Sequence, residues 1–192
     1  MTEPKQFLST YLTDLQALLV PTPELLAQLV DIKKVLEDSR DWGHTAMIVG
    51  NGGSAAIASH VSVDITKNAG VRCINFNESD LITCFSNDYG YEKWVEKAVE
   101  HYGHPGDVLI AISSSGRSKN ILNGCHAARK KNFSKVITLS GFEADNPLQQ
   151  LGDINLWVDS KAYNHVEGVH QVWLLAVVDM IIGKTEYSTS ER

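Results

Sequence analysis

Apolar positions repeat at helical spacing up to Leu36 and then change period. Phe7, Tyr11, Leu15, Leu18 and Leu19 recur three or four residues apart. After Pro21 and Pro23, the set Leu25, Leu26, Leu29, Val30, Ile32, Val35 and Leu36 does the same. Two helices with apolar faces are therefore expected before any strand, packed across the main domain or against another subunit. From His44 onward short apolar runs alternate with helix-length segments. Strands are expected at Ala46–Val49, Arg72–Phe76, Val108–Ile112, Lys135–Leu139 and Ile154–Val158. Helices are expected at Ser54–Asn68, Tyr91–Tyr102, Ser118–Lys131 and Tyr163–Ile182. This alternation predicts an α/β, three-layer sandwich: a five-stranded parallel sheet with helices on both faces, preceded by an N-terminal helical pair. The expected organisation is a single domain over 1–192. Residues 1–40 serve packing or oligomerisation, 44–183 form the α/β core, and 184–192 make a flexible tail.

Composition narrows the class. With 192 residues, 43% of them hydrophobic, the chain can bury a real core. A formal net charge of −6 argues against a nucleic-acid surface, which wants clustered Lys and Arg. The basic run Arg129-Lys130-Lys131 falls where a helix should end and reads as complementing its dipole. No run of about 18 apolar residues suggests a membrane span, and residues 1–6 lack a signal-peptide layout. Cys73, Cys84 and Cys125 fit no metal spacing and read as buried thiols in a reducing compartment. A cytoplasmic protein with no nucleic-acid or membrane partner is expected.

Two loops change the picture most. Gly50-Asn51-Gly52-Gly53-Ser54 follows the first strand, and Ser113-Ser114-Ser115-Gly116-Arg117-Ser118 follows the third. Each runs into a helix start, where free N–H groups and the positive dipole end favour an anion. Three consecutive serines exceed what helix capping requires. The Gly-Lys-Ser/Thr ending of a Walker loop is absent, and neither loop has the G-x-G-x-x-G spacing. A monophosphorylated ligand is expected rather than a nucleotide, and no nucleotide cofactor.

These loops, with Ser86-Asn87-Asp88-Tyr89-Gly90 and the long final helix, resemble the sugar isomerase (SIS) domain proteins, and within them the phosphoheptose isomerases. The resemblance covers nearly the whole chain. It implies an aldose–ketose isomerase converting sedoheptulose 7-phosphate to D-glycero-heptose 7-phosphate through an enediol. It implies phosphate contacts from Ser113, Ser114, Ser115 and Ser118, and sugar or loop contacts from Asn51, Gly52, Gly53, Ser54, Asn87 and Asp88. It also implies a homotetramer with sites between subunits.

Such an isomerisation needs a base at carbon and an acid or metal at the carbonyl oxygen. His60 and Asp64 stand at i and i+4 on one helix face, able to hold a divalent ion or to place a base beside substrate. The family has a glutamate where Asp64 stands. In the last helix it supplies a glutamine and then a histidine two turns on. Matching Val166-Glu167-Gly168-Val169-His170 to that pattern puts Glu167 at the glutamine and Leu175 at the histidine, and leucine moves no proton. Two substitutes present themselves. Glu167, with His60 and Asp64, makes a ligand set suited to zinc or another divalent metal. Alternatively His165, at the helix start, acts as acid or base. The expected catalytic residues are Asp64, Glu167 and His165. Of Glu167, His170 and Gln171, at i, i+3 and i+4, two can face the ligand together, while His170 reads equally as a core histidine. Trp173, Leu174, Val177, Val178 and Ile181 read as packing. Because of Leu175, two alternatives stand beside the isomerase. One is a non-catalytic sugar-phosphate sensor or replication-initiation-type regulator, and the other an isomerase of a different sugar phosphate.

Overall fold

Capping chemistry sets the first two helices. In α1 (Pro4–Leu18) the Glu3 carboxylate accepts from the Gln6 N–H, and in α2 (Pro23–Asp41) the Thr22 hydroxyl accepts from the Leu25 N–H at 3.1 Å. The computed structural model describes residues 3–187. The part of the expected tail at 188–192, and Met1 and Thr2, lie outside the described residues.

The alternating pattern yields β1 (Ala46–Val49), α3 (Gly53–Lys67), β2 (Cys73–Ile74), α4 (Ser79–Tyr89), α5 (Trp94–Tyr102), β3 (Val108–Ser113), α6 (Lys119–Lys130), β4 (Lys135–Ser140), β5 (Ile154–Trp157) and α7 (Tyr163–Ile182). All five strands are parallel, in the order β2-β1-β3-β4-β5. In β1 and β3, Ala46 sits opposite Val108 and Val49 opposite Ala111. Their side chains alternate between faces. Ile48, Val108, Ile110 and Ile112 pack with α2, α3 and α7, while Met47, Val49, Leu109 and Ala111 pack with α5 and α6. Each large aliphatic side chain among them, fully buried, stabilises the fold by roughly 1.5–3 kcal/mol. Both faces are covered, which is why the central strands read as continuous apolar runs.

Several expectations shift. The expected strand at Arg72–Phe76 contracts to two residues at the sheet edge. The helix expected from Tyr91 opens as a 3-10 turn at Tyr91–Lys93 before α5. Ser86-Asn87-Asp88-Tyr89-Gly90 is not a free loop: it is the last turn of α4, closed by Gly90 at φ +88. Cys73 and Cys125 are buried, and burial pushes both thiols up to about 12. Cys84 corrects the expectation: on α4, it is exposed. Helix α7 is long and apolar enough to cross a membrane, yet its Trp173, Leu174, Val177 and Val178 are spent in the core. Arg129, in the last turn of α6, pairs with Asp153 at 2.8 Å.

Candidate functional site

The strand order reverses direction between β1 and β3. The chain leaves β1 for α3 on one face, and reaches α6 from β3 on the other. A crevice therefore opens at the carboxyl ends of these two neighbours, where open α/β sheets bind ligands. Both polar loops lie there.

The second loop is built as a cup. Ser113 and Ser114 are buried at the end of β3. The Gly116 N–H donates to the Ser113 carbonyl at 2.9 Å, tightening the turn. Gly116 has φ +65, and a Cβ there would collide with the Asn146 carboxamide, so no other residue fits. Ser118 occupies the N-cap of α6 but leaves the helix uncapped; its hydroxyl accepts from Ser113 Oγ at 3.1 Å. Helix α3, at Gly52, likewise starts with no side-chain cap. Two helix starts thus keep N–H groups that no side chain satisfies. The Ser114 hydroxyl is buried and has no partner among the described residues.

These groups line a cavity of about 130 Å³. Ser113, Ser114, Ser115 and Ser118 form one wall, and Asn51 and Ser54 the other. Ile112, Tyr163 and Glu167 complete it. Its unspent hydroxyls and two helix starts suit a phosphoryl group. Larger clefts of about 320 and 350 Å³ lie elsewhere, one at the amino ends of the strands and one beside α1, and neither gathers such donors.

Glu167 reaches the cavity because α7 packs alongside α3. Gly53 permits the contact: a Cβ there would overlap the Glu167 carboxyl. Burial raises the pKa of this carboxyl above its ordinary value. One turn further along α7, the Gln171 carboxamide meets His60 Nδ1 at 3.0 Å. His60 Nε2 lies 3.3 Å from Asp64, whose other oxygen accepts from Asn68 at 3.1 Å. Leu175 follows Gln171 by one more turn and packs against the core.

The remaining expected residues are placed differently. His165 does not line the cavity; its buried ring packs against Tyr11 of α1, centroids 4.2 Å apart. Asn87 and Asp88 are exposed on α4 and hydrogen-bond each other at 3.0 Å. His170 is fully buried, with Nε2 3.0 Å from the Ser140 carbonyl, and burial pulls its pKa down to about 4. It is a core histidine. The ligand set His60, Asp64 and Glu167 does not assemble: among the described residues no three His, Cys, Asp or Glu side chains converge. Both His60 nitrogens already face Asp64 and Gln171. One chain's residues do not fit a three-ligand metal site. One contributor is not evident from the sequence. Tyr163 stands at the mouth, and nothing marks an aromatic at a helix start as a lining residue. Gln171 is visible as a neighbour of Glu167, but its partner His60 lies far off in sequence.

Residues 10–141 match the SIS domain. The chain is 31% identical over 167 residues to the phosphoheptose isomerase of Sodalis glossinidius (strain morsitans), covering 81% of this chain and 85% of that protein. A solved phosphoheptose isomerase from Francisella tularensis superimposes with a TM-score of 0.83 at 27% identity, covering 96% of this chain and 100% of that one. The phosphoheptose isomerase structure from Neisseria gonorrhoeae, at 23% identity, shares the fold with a TM-score of 0.86 over 93% of this chain and 99% of that one. By its sequence match, its sheet order and its serine-lined crevice, the chain belongs to the SIS domain family, among the phosphoheptose isomerases.

Proposed function

We propose that the protein isomerises sedoheptulose 7-phosphate to D-glycero-heptose 7-phosphate through an enediol. The observation that carries this reading is the cavity, whose buried unpartnered Ser114 hydroxyl and two uncapped helix starts await an anion. The relatives named phosphoheptose isomerase supply the substrate.

The phosphoryl group sits among Ser113, Ser114, Ser115 and Ser118, and the carbon chain runs from there along the α3–α7 seam. His60 lies seven residues beyond Gly53, about 10 Å down the helix. An extended seven-carbon chain spans that length; a triose does not. The Asp64 carboxylate takes the proton from C1 of the ketose, leaving the enediol, and returns it to C2 to give the aldose. The His60 imidazole, with substrate taking the place of Gln171 at Nδ1, serves the oxygens, protonating O2 of the departing carbonyl and taking the proton from O1. Glu167, between the two ends, accepts a sugar hydroxyl. Leu175 is the one feature favouring a non-catalytic sugar-phosphate binder, and the isomerase relatives weigh against it.

We also propose that the active form is a homotetramer. Phe7, Leu8 and Leu12 on α1 are more than half exposed, and no α1 residue is buried in the single chain. That apolar face suits a second copy, and light scattering after gel filtration reads the mass directly. The function itself is tested by incubating the protein with sedoheptulose 7-phosphate and following the aldose by NMR. Formation of heptose 7-phosphate is expected. Saturable binding without turnover would overturn the isomerase in favour of a binder.

A further inference from the structure

The two loops are joined by a pair of carboxamides. Asn51, in the first loop, donates through Nδ2 to Asn120 Oδ1 at 2.9 Å. Asn120, in the first turn of α6, donates back to Asn51 Oδ1 at 2.8 Å. The Tyr91 hydroxyl donates to the same Asn51 oxygen at 3.1 Å. Asn120 is 3% exposed and does not line the cavity; Asn51 does. The 3-10 turn carrying Tyr91 is itself pinned to α6, since Asn123 donates to the Glu92 carbonyl at 2.9 Å.

A carboxamide offers two N–H donors and two acceptor lone pairs. Both lone pairs of Asn51 are taken, by Asn120 and by Tyr91, and one of its two N–H bonds is taken by Asn120. A single N–H remains. Rotating the Asn51 amide by half a turn would set its nitrogen against the Asn120 nitrogen and the Tyr91 O–H, and its oxygen against the Asn120 oxygen. Both bonds to Asn120 would become like-to-like contacts, and Tyr91 would have to accept where it now donates. With Asn120 oriented as it is, the Asn51 amide is held with its oxygen spent, and what it has left for the cavity is a donor. An oxyanion needs that arrangement.

We propose that Asn120, assisted by Tyr91, is a positioning residue that holds the Asn51 carboxamide so that its one free N–H is delivered to a phosphoryl oxygen. This rests on the reading of the cavity as a phosphate site. Helix α6 then does more than present its own amino end. Its first turn, which begins at the serine loop, orients a residue of the first loop across the crevice. Positioned this way, the two loops act as one site.

The test is a double-mutant cycle read by titration with inorganic phosphate and by kcat and KM for sedoheptulose 7-phosphate. Asn120→Ala is expected to weaken phosphate binding and raise KM by about tenfold, with kcat changed far less. Tyr91→Phe, at an exposed ring that the fold does not need, is expected to act in the same direction by about threefold. In the Asn51→Ala background both effects should vanish. Equal losses in the two backgrounds, or no loss from either change, would overturn the proposal. Wild-type protein that binds phosphate but does not isomerise the sugar would overturn the isomerase reading alone, and the cycle is then decided on binding. Wild-type protein that binds no phosphate would overturn the cavity reading and this proposal with it.

Discussion

The cavity at the ends of β1 and β3 and the seam between α3 and α7 are built to different standards. In the cavity, Ser113, Ser114 and Ser54 are buried, the turn is closed by backbone bonds, and the first loop is tied to the start of α6 by Asn51 and Asn120. Along the seam, the His60 side chain is 51% exposed, and its partners are Asp64 and Gln171. The difference amounts to a division of labour. On the proposed reading the phosphate end draws its donors from one chain, because a dianion is best met by donors fixed beforehand. The proposed reacting end is the more exposed of the two.

The sharpest test of that division is Asp64→Asn. Turnover of sedoheptulose 7-phosphate should fall by about 10² to 10⁴-fold, the range for losing a proton-transfer group. Titration with inorganic phosphate should be unchanged. Loss of phosphate binding would show the two regions to be one. Ser115→Ala attacks the other side. Affinity for the sugar phosphate should drop by about tenfold, with no change for the unphosphorylated sugar; equal loss for both would remove the phosphate assignment. Smallest in effect is Glu167→Gln, at the junction. Burial raises the Glu167 pKa, so the folded state holds its proton more tightly than the unfolded chain. Its contribution to stability is present below the ordinary carboxylate pKa and is lost as pH rises through the raised value. Thermal melts over that window should show wild type losing stability with rising pH, while Glu167→Gln stays flatter. Identical slopes would mean the carboxyl is well solvated.

Much of this is legible in the residues. The period change at His44 marks where the sheet begins, and Tyr163–Ile182 is bounded correctly because an apolar run closes there at Gly183. The serines after β3 point to the proposed anion site through chemistry alone. Helix α4 is not legible: Ser86, Asn87, Asp88 and Gly90 carry turn chemistry, which masks a helix resting on Leu81, Ile82 and Phe85. The exposure of Cys84, on the outer side of that helix, is hidden for the same reason. His165 suggests a place near the ligand, but helix α1 lays Tyr11 over it. Periodicity says that a face is apolar, not which neighbour will cover it.

Local spacing determined the strands, most of the helices and the two loop ends, because hydrophobic period and turn chemistry act over a few residues. It pointed to a phosphate-like anion, because free N–H groups and hydroxyls are properties of the loop itself. Only the tertiary structure decided which side chains meet: Glu167 over Gly53, Gln171 against His60, Asn120 against Asn51. Those contacts join positions from about seventy to more than a hundred residues apart. Their pairing follows from the order of strands in the sheet and the packing of helices upon it, which no local period encodes.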